Sequence, residues 1–320
     1  MLPLPLRRDC WQVRLGVAII VGCAAGLASW MIHWSASSDY GLIHRGALAL
    51  RNGDDVFAVR HEAFPFIYPL TAAMVGVPLS YLPGPDFWFT ALGIGLFLWA
   101  TWDRFPFAWM GLASAAGYTV VQYGQWAALI TAAALLPAAG FLLAAKPTLG
   151  GALWIAFPSA ISLLLATALV ALSLYIDPNW PAAWLEAARS AFHVRAPIQF
   201  WGGPLLLLAL LRWRSWDARL LAALSCVPQT PLVYETLPLF LIPRTLGESV
   251  YLVLASWVTF VATEWWTIPL KGLSPRDLYF ARTQASGQLM VVLLYLPCLV
   301  MIFRRRVEAP VSSAPHEKPS

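Results

Sequence analysis

The residue best suited to chemistry in this chain is Asp39, which follows a long apolar segment at residues 15–34. It opens a charged stretch in a chain of which 59% is hydrophobic and only 12% is charged. A carboxylate acts as a general base when it lies within hydrogen-bond reach of the proton that it removes. Asp39 is therefore a candidate catalytic base at a membrane surface. The alternative interpretation is a helix-capping carboxylate, because Asp is common at helix starts.

Basic side chains in the loops between apolar segments are candidates for binding an anionic substrate. Arginine pairs with phosphate oxygens through charge-assisted hydrogen bonds, although each of these residues is also interpretable as an ordinary interfacial side chain. The basic candidates are Arg45, Arg51, Arg60, His61, His193 and Arg195. His44 and His61 match no metal-ligand spacing with Asp54 or Asp55, so the sequence predicts no metal site and no cofactor.

Apolar runs of membrane length recur along the whole chain, whereas a soluble domain carries about 25% charged residues. The sequence therefore predicts an all-α polytopic integral membrane protein with about ten to twelve membrane helices. Residues 1–306 would form a single transmembrane domain, and residues 307–320 a disordered tail. The candidate segments are residues 15–34, 66–82, 87–101, 105–121, 126–145, 149–175, 198–211, 218–243, 247–270 and 284–303.

Basic residues at the ends of these segments predict the orientation, because cytoplasmic loops carry an excess of Lys and Arg. They indicate that both termini are cytoplasmic, with an uncleaved first helix, and that Lys146 lies on the cytoplasmic side. Residues 35–65 would then form an external loop on the same side as residues 122–125, 177–195 and 228–235. This arrangement requires one short segment between residues 66 and 101 that does not cross fully.

The external loop contains a predicted amphipathic helix over residues 40–50, which the pair Asn52-Gly53 should terminate. The order of an acidic-aromatic pair (Asp39-Tyr40), this amphipathic stretch, a Gly-Asp turn and the entry Phe66-Ile67-Tyr68-Pro69 resembles the GT-C membrane glycosyltransferases. The similar branch is the bacterial polyprenyl-phosphate-mannose-dependent type, glycosyltransferase family 87. Further similar stretches are Gly124-Gln125, Ala144-Ala145-Lys146-Pro147-Thr148 and the amphipathic Trp180–Ala191. The resemblance covers most of residues 35–245.

This resemblance implies a GT-C fold that transfers a mannose-like hexose from a polyprenyl-phosphate donor. The acceptor would be a lipid or a glycan at the outer face of the bacterial inner membrane, with membrane lipids as the other partners and no nucleic acid. Asp39 would be the general base. The implied substrate-binding residues are Tyr40, Arg45, Arg60, His61, Tyr68, Gln122, Gln125, His193, Arg195, Tyr234 and Glu235.

The sequence departs from the family at Tyr234-Glu235, which occupy the place where His is expected, and the chain is short for the family. A non-catalytic scaffold with the GT-C fold is therefore one alternative. A transporter of lipid-linked sugars or small solutes is another, and it would need charged residues inside the membrane. Few such residues are predicted, and Glu264 is the clearest of them.

Overall fold

The computed structural model describes residues 11–33, 39–61, 64–190, 194–270 and 272–305. This part of the chain is mainly helical, and its two strands, β1 (Arg60–His61) and β2 (Phe64–Pro65), are two residues long and pair antiparallel. The α-helices are α1 (Trp11–His33), α2 (Asp39–Asn52), α3 (Leu70–Gly76), α4 (Pro85–Thr101), α5 (Ala115–Tyr123), α6 (Ala127–Leu135), α7 (Pro147–Ala156), α8 (Ala160–Ile176), α9 (Trp180–Ser190), α10 (Trp216–Ser225), α11 (Leu246–Thr267), α12 (Pro275–Met290) and α13 (Leu296–Arg304). The predicted all-α class is confirmed.

Several apolar stretches form 3₁₀ rather than α helix, and proline opens or interrupts most of them. A π turn at Val291–Tyr295 joins α12 to α13. The 3₁₀ helices are Val56–Ala58, Pro78–Tyr81, Ala108–Ala113, Pro137–Ala145, Pro197–Gln199, Gly203–Arg212, Tyr234–Leu241 and Ile268–Leu270.

Three helical stretches are long and apolar enough to cross a bilayer by length and composition, namely Trp11–Ile32, Leu246–Leu270 and Asp277–Arg304. A fourth is counted if α8 and α9, which meet at a bend of 99°, form one broken span. The described chain is therefore all-helical with three or more candidate membrane-spanning helices. The larger number of ten to twelve stays a prediction, because breaks such as Pro158 divide most predicted segments into shorter helices.

Helices α1 and α4 pack antiparallel through glycines. A Cβ built on Gly22 would lie 2.6 Å from the carbonyl oxygen of Ala91, and one built on Gly26 would lie 2.6 Å from that of Phe87. At the end of the same contact, the Arg14 guanidinium bonds the Asp103 carboxylate. Small residues let two helix backbones approach closely, which is how helices associate in lipid.

Arginine side chains gather at one end of the bundle, here called the basic end. Arg104 donates to the carbonyl oxygen of Leu135 at 3.4 Å, and Arg219 donates to those of Ile155 and Ala156 at 2.9 and 3.0 Å. Further members of this end are Arg14, Arg212, Arg214, Arg244 and Arg305. The sequence predicted that arginines at these segment ends share one face, and the structure brings them to one end.

Two short helical hairpins begin and end at the basic end. The first hairpin, residues 137–156, begins after Leu136 and ends beside Phe157, and both of these residues pack against a cluster that contains Leu135. The second hairpin, residues 216–241, consists of α10, a bend at residues 226–233 and a 3₁₀ helix. The end of each hairpin that lies nearest the basic end is here called its foot. At the two feet, the ring centroids of Phe157 and Trp216 are 5.3 Å apart.

The helices of the hairpins are shorter than a membrane is thick. At about 1.5 Å per residue, the ten residues of α7 rise roughly 15 Å, compared with a hydrocarbon core about 30 Å thick. Lys146 lies at the tip of the first hairpin, and its Nζ is 3.5 Å from Oε1 of Glu235 in the second. The expectation that Lys146 and Glu235 face opposite sides of the membrane is therefore wrong, because the two side chains meet. Hydropathy detects the apolar segments here but does not show that they turn back.

Helix α2 lies at the opposite end of the bundle, here called the α2 end. This helix extends to Asn52, after which Gly53 takes a left-handed conformation (φ 78°) and Asp54 N–H donates to the carbonyl of Ala49 at 2.9 Å. The predicted helix and its glycine stop signal are confirmed. Helix α9 lies nearby, and its Trp184 indole donates to the carbonyl oxygen of Ile67 at 2.9 Å.

We expect Gly22→Ala to destabilise the protein, because the new methyl group would press on the α4 backbone. Overpacking of this kind costs about 1–3 kcal/mol, and the thermal unfolding temperature in detergent should fall accordingly. Gly16→Ala is the matched control on the same helix, since nothing lies within 4 Å of its Cβ position. Equal unfolding temperatures for the two variants would contradict the close α1–α4 contact.

Candidate functional site

A buried polar cluster lies where the two hairpin tips meet. Lys146 Nζ donates to Tyr234 Oη at 2.9 Å and lies 4.3 Å from the centre of the Tyr234 ring. It also forms the ion pair with Glu235, whose side chain is only 2% exposed, whereas that of Lys146 is 13% exposed. A charged group away from water requires such partners, because its desolvation is costly. Charges at this depth in a membrane protein are functional-site candidates by default.

Glu235 has a second set of partners on its own hairpin. Its Oε2 accepts from Thr230 Oγ1 at 2.9 Å and from the Thr230 backbone N–H at 3.4 Å. Just before Tyr234, the buried Val233 takes φ 54°, the only non-glycine residue with positive φ in the described chain. A β-branched residue in this region is strained by about 1–3 kcal/mol. The surrounding contacts therefore hold the tip in one conformation.

Tyr295 lies near the cluster, in the π turn between α12 and α13. Its side chain is fully buried, and within the described residues its hydroxyl has no hydrogen-bond partner. The charge of Glu235 acts on this tyrosine. A buried hydroxyl near the cluster can thus accept or donate one further hydrogen bond.

Two contacts connect the cluster with the loops at the α2 end. Thr71 Oγ1, three residues after Tyr68, donates to the carbonyl oxygen of Ala144 at 2.7 Å, two residues before Lys146. The Gln229 backbone N–H donates to the carbonyl oxygen of Arg195 at 3.0 Å. Of the predicted site residues, Tyr234 and Glu235 therefore contact Lys146 directly. The Arg195 backbone bonds the second hairpin, and Tyr68 is near the first hairpin only in sequence, through Thr71. The Arg195 guanidinium itself is exposed and donates to Gln284 Oε1 at 3.2 Å.

A second group of predicted residues is joined by aromatic stacking. The Tyr40 ring stacks on Phe89 at 4.3 Å, and Phe89 meets Trp126 edge-on at 4.9 Å. Trp126 directly follows Gln125, which is buried, and the buried Oε1 of Gln122 has no hydrogen-bond partner among the described residues. Tyr40 and the Gln122–Gln125 turn thus form a buried wall rather than an open binding surface.

Burial and nearby charges perturb two titratable groups of α2. Burial, reinforced by the Asp86 carboxylate, raises the pKa of Tyr40 well above its usual range. Burial also lowers the pKa of His44, an effect that Asp86 opposes and that Arg51 and Arg45 reinforce. Both side chains are therefore neutral at pH 7.

Arginines line the exposed rim of the same end. Arg45 donates to the carbonyl oxygen of Arg60 at 3.3 Å, and both side chains are exposed. Arg51 lies 4.7 Å from the centre of the Tyr81 ring and donates to the carbonyl oxygen of Ser80 at 3.4 Å. These cations keep exposed donors that an anionic headgroup can reach.

Three predicted site residues lie wholly or partly outside the described part of the chain. Asp39 is the first residue of α2 and His61 belongs to β1, but neither side chain is among those described. His193 lies in an undescribed stretch. Their assigned roles stay predictions.

Sequence reasoning missed Lys146 as a site residue, because a lysine between two apolar segments was interpreted as a surface charge. It also missed Thr230 and Tyr295, which carry no sequence signal of their own. The signal that could have found Lys146 is the proline that follows it, since the Lys-Pro pair interrupts a continuous apolar stretch. Comparison of the chain with protein-family models, curated proteins and solved structures finds no match.

Lys146→Met should be strongly destabilising, because it leaves Glu235 buried without a counter-charge. Breaking a buried pair costs about 3–5 kcal/mol, to be measured by unfolding in detergent. The double variant Lys146→Met/Glu235→Leu should recover part of this loss, since no lone charge remains. Arg282→Met is the control: it removes the Arg282–Glu264 pair, whose side chains are 31% and 41% exposed, and should cost only about 0–1 kcal/mol. Equal losses for the two single variants would contradict a special role for the buried pair.

The lowered pKa of His44 makes stability depend on pH. The unfolded chain binds a proton on this side chain near its ordinary pKa of 6.5, whereas the folded protein resists protonation. The unfolding free energy should therefore fall as the pH drops below 6.5, because the unfolded state then binds more protons. His44→Gln should reduce this slope, and an unchanged slope in that variant would assign the effect to other groups.

Proposed function

We propose that the protein is a membrane glycosyltransferase that takes a hexose from a polyprenyl-phosphate donor. The acceptor is a hydroxyl group of a lipid or glycan, and Asp39 acts as the general base. The reaction takes place at the α2 end, which we assign to the outer face of the bacterial inner membrane. The basic end then faces the cytoplasm, together with both chain termini, as expected from the excess of arginines.

One observation carries this proposal: two motifs of the glycosyltransferase resemblance converge in space with the pair at which the chain departs from the family. The Tyr68-Pro69 entry, the Lys146-Pro147 pair and the Tyr234-Glu235 pair are distant in sequence. The Thr71–Ala144 hydrogen bond and the Lys146 contacts with Tyr234 and Glu235 bring them together. Motifs that serve one reaction are expected to meet in this way.

The chemistry requires a base and stabilisation of a phosphate leaving group. Asp39 would take the proton of the acceptor hydroxyl while its oxygen forms a bond to the anomeric carbon. The bond from that carbon to the phosphate oxygen breaks, and the polyprenyl phosphate leaves with the electron pair. Arg45, Arg51 and Arg60 are exposed at this end and can bind the phosphate through charge-assisted hydrogen bonds.

Tyr234 and Glu235, at which the sequence departs from the family pattern, have a structural role. These residues bind Lys146 and so orient a buried cation below the loops. A donor phosphate that reached this depth would meet a positive charge at the place where the family has His. The substitution is therefore compatible with activity.

The buried Lys146–Glu235 pair also favours a second candidate function, the transport of a lipid-linked sugar or small solute. Charges inside a membrane often mark a pathway. Uptake of a labelled solute into vesicles that contain no acceptor would support transport. Sugar transfer to an added acceptor would support the enzyme instead, and a protein without either activity would be a scaffold.

The deciding experiment is transfer of labelled hexose from polyprenyl-phosphate mannose by purified protein in lipid vesicles. Asp39→Asn should lower the transfer rate at least roughly 100-fold, the lower range for loss of a general base. Asp54→Asn is the matched control, because it removes the same charge from an exposed position in the same loop. If the Asp39→Asn variant transferred hexose at the full rate, Asp39 would not be the general base. If folded wild-type protein transferred no hexose to any of several acceptors, the proposed reaction would be contradicted.

A further inference from the structure

At the basic end, an open cavity of about 550 Å³ is lined by more positive than negative charge. Its charged walls are four arginines and one aspartate: Arg212, Arg214, Arg244, Arg305 and Asp217. None of these residues belongs to the region described around Lys146 or to the α2 end. The cavity is therefore a separate place in the fold.

Two of the four arginines hold the cavity together. Arg212 donates to the carbonyl oxygens of Ile302 and Arg305, each at 2.7 Å. Arg305 donates to the Asp217 carboxylate and to the carbonyl oxygen of Ile242. These bonds connect α13 with α10 and with the end of the second hairpin. They hold this wall of the cavity in a fixed position.

The other two arginines are exposed and keep their donors available. Neither Arg214 nor Arg244 forms an ion pair within the described residues. The charge of Arg244 acts on Arg305, and the two like charges repel each other. The carboxylate of the nearby Glu248, which accepts from the backbone N–H groups of Arg244 and Thr245, offsets part of this excess. Glu248 and Asp217 together still leave the four arginines in excess. An anion beside Arg244 would relieve the repulsion between Arg244 and Arg305.

A second cavity of about 610 Å³ adjoins the first and shares Trp216 and Arg244 with it. Its walls are mainly apolar. Phe105 meets Trp216 edge-on at 5.2 Å, and Phe157 stacks on Trp216 at 5.3 Å. A ligand that fills both cavities must therefore have a negatively charged head beside an apolar chain.

We propose that the two cavities bind one anionic glycerophospholipid. Its phosphate lies between Arg214 and Arg244, and one acyl chain lies against Phe157 and Trp216. Basic pockets between membrane helices on one face suit anionic headgroups, and arginine binds phosphate oxygens through paired N–H donors. Such a lipid would contact the feet of both hairpins. This site is independent of the proposed glycosyl transfer.

Native mass spectrometry of the full-length protein in detergent tests the proposal. The probes are phosphatidylglycerol and phosphatidylcholine with identical acyl chains. Wild-type protein should retain phosphatidylglycerol in preference, and Arg214→Gln/Arg244→Gln should weaken its binding roughly tenfold through the lost charge-assisted hydrogen bonds. The matched control is Arg189→Gln/Arg304→Gln, which removes two exposed arginines that do not line the cavity and should bind as wild type does.

A competition experiment separates a lipid site from a site for free anions. Glycerophosphoglycerol, the headgroup without acyl chains, should displace the lipid only weakly if the apolar cavity holds a chain. Displacement as strong as that by intact phosphatidylglycerol would overturn the lipid assignment, as would equal retention of the two lipids by wild-type protein. If the glutamine variant does not fold, Arg214→Lys/Arg244→Lys keeps both charges and should retain the preference. If the folded lysine variant lost the preference for phosphatidylglycerol, positive charge at these two positions would not account for the binding.

Discussion

The ion pair between Lys146 and Glu235 is the constraint on which the rest of the interior depends. A lysine on an apolar hairpin tip must find a counter-charge, because an unpaired charge there costs several kcal/mol. Glu235 meets this need from the other hairpin. The pair therefore fixes the two hairpins at one depth, and the positive φ of Val233 lies in the bend just before Tyr234 and Glu235.

The feet of the hairpins are held by a different interaction, the bond from an arginine to a free helix carbonyl. The last carbonyls of any helix lack partners within it, and short helices present many such ends. Arg104 binds the end of α6, Arg219 the end of α7 and Arg212 the end of α13. The arginines that a topology rule treats as orientation signals thus also satisfy the backbone where the chain turns. Positive charge at helix C-termini is additionally favoured by the helix dipole.

Features that depend on local sequence could be predicted, whereas features that depend on contacts between distant residues could not. Helix α1 and the Asn52-Gly53 stop of α2 follow from local pattern and glycine chemistry, and both were predicted. The depth of Lys146 was not, because hydropathy gives the same signal for a half-length hairpin as for a full crossing. The distinction depends on pairing with Glu235, which is distant in sequence. The role of Asp39 is predicted from the resemblance alone, because its side chain lies outside the described part of the structure.

The partners of Glu235 bear on how a buried pair can take part in the proposed transfer. Glu235 is held by Thr230 as well as by Lys146, so its charge keeps two hydrogen bonds if Lys146 turns away. Lys146 also has a second partner, the Tyr234 hydroxyl and ring. A phosphate that approached Lys146 would therefore replace Glu235 as the anionic partner of the lysine. The cost of separating a buried pair is mostly the cost of the charge left alone; Glu235 would lose its counter-charge, and its two hydrogen bonds from Thr230 would offset part of that cost.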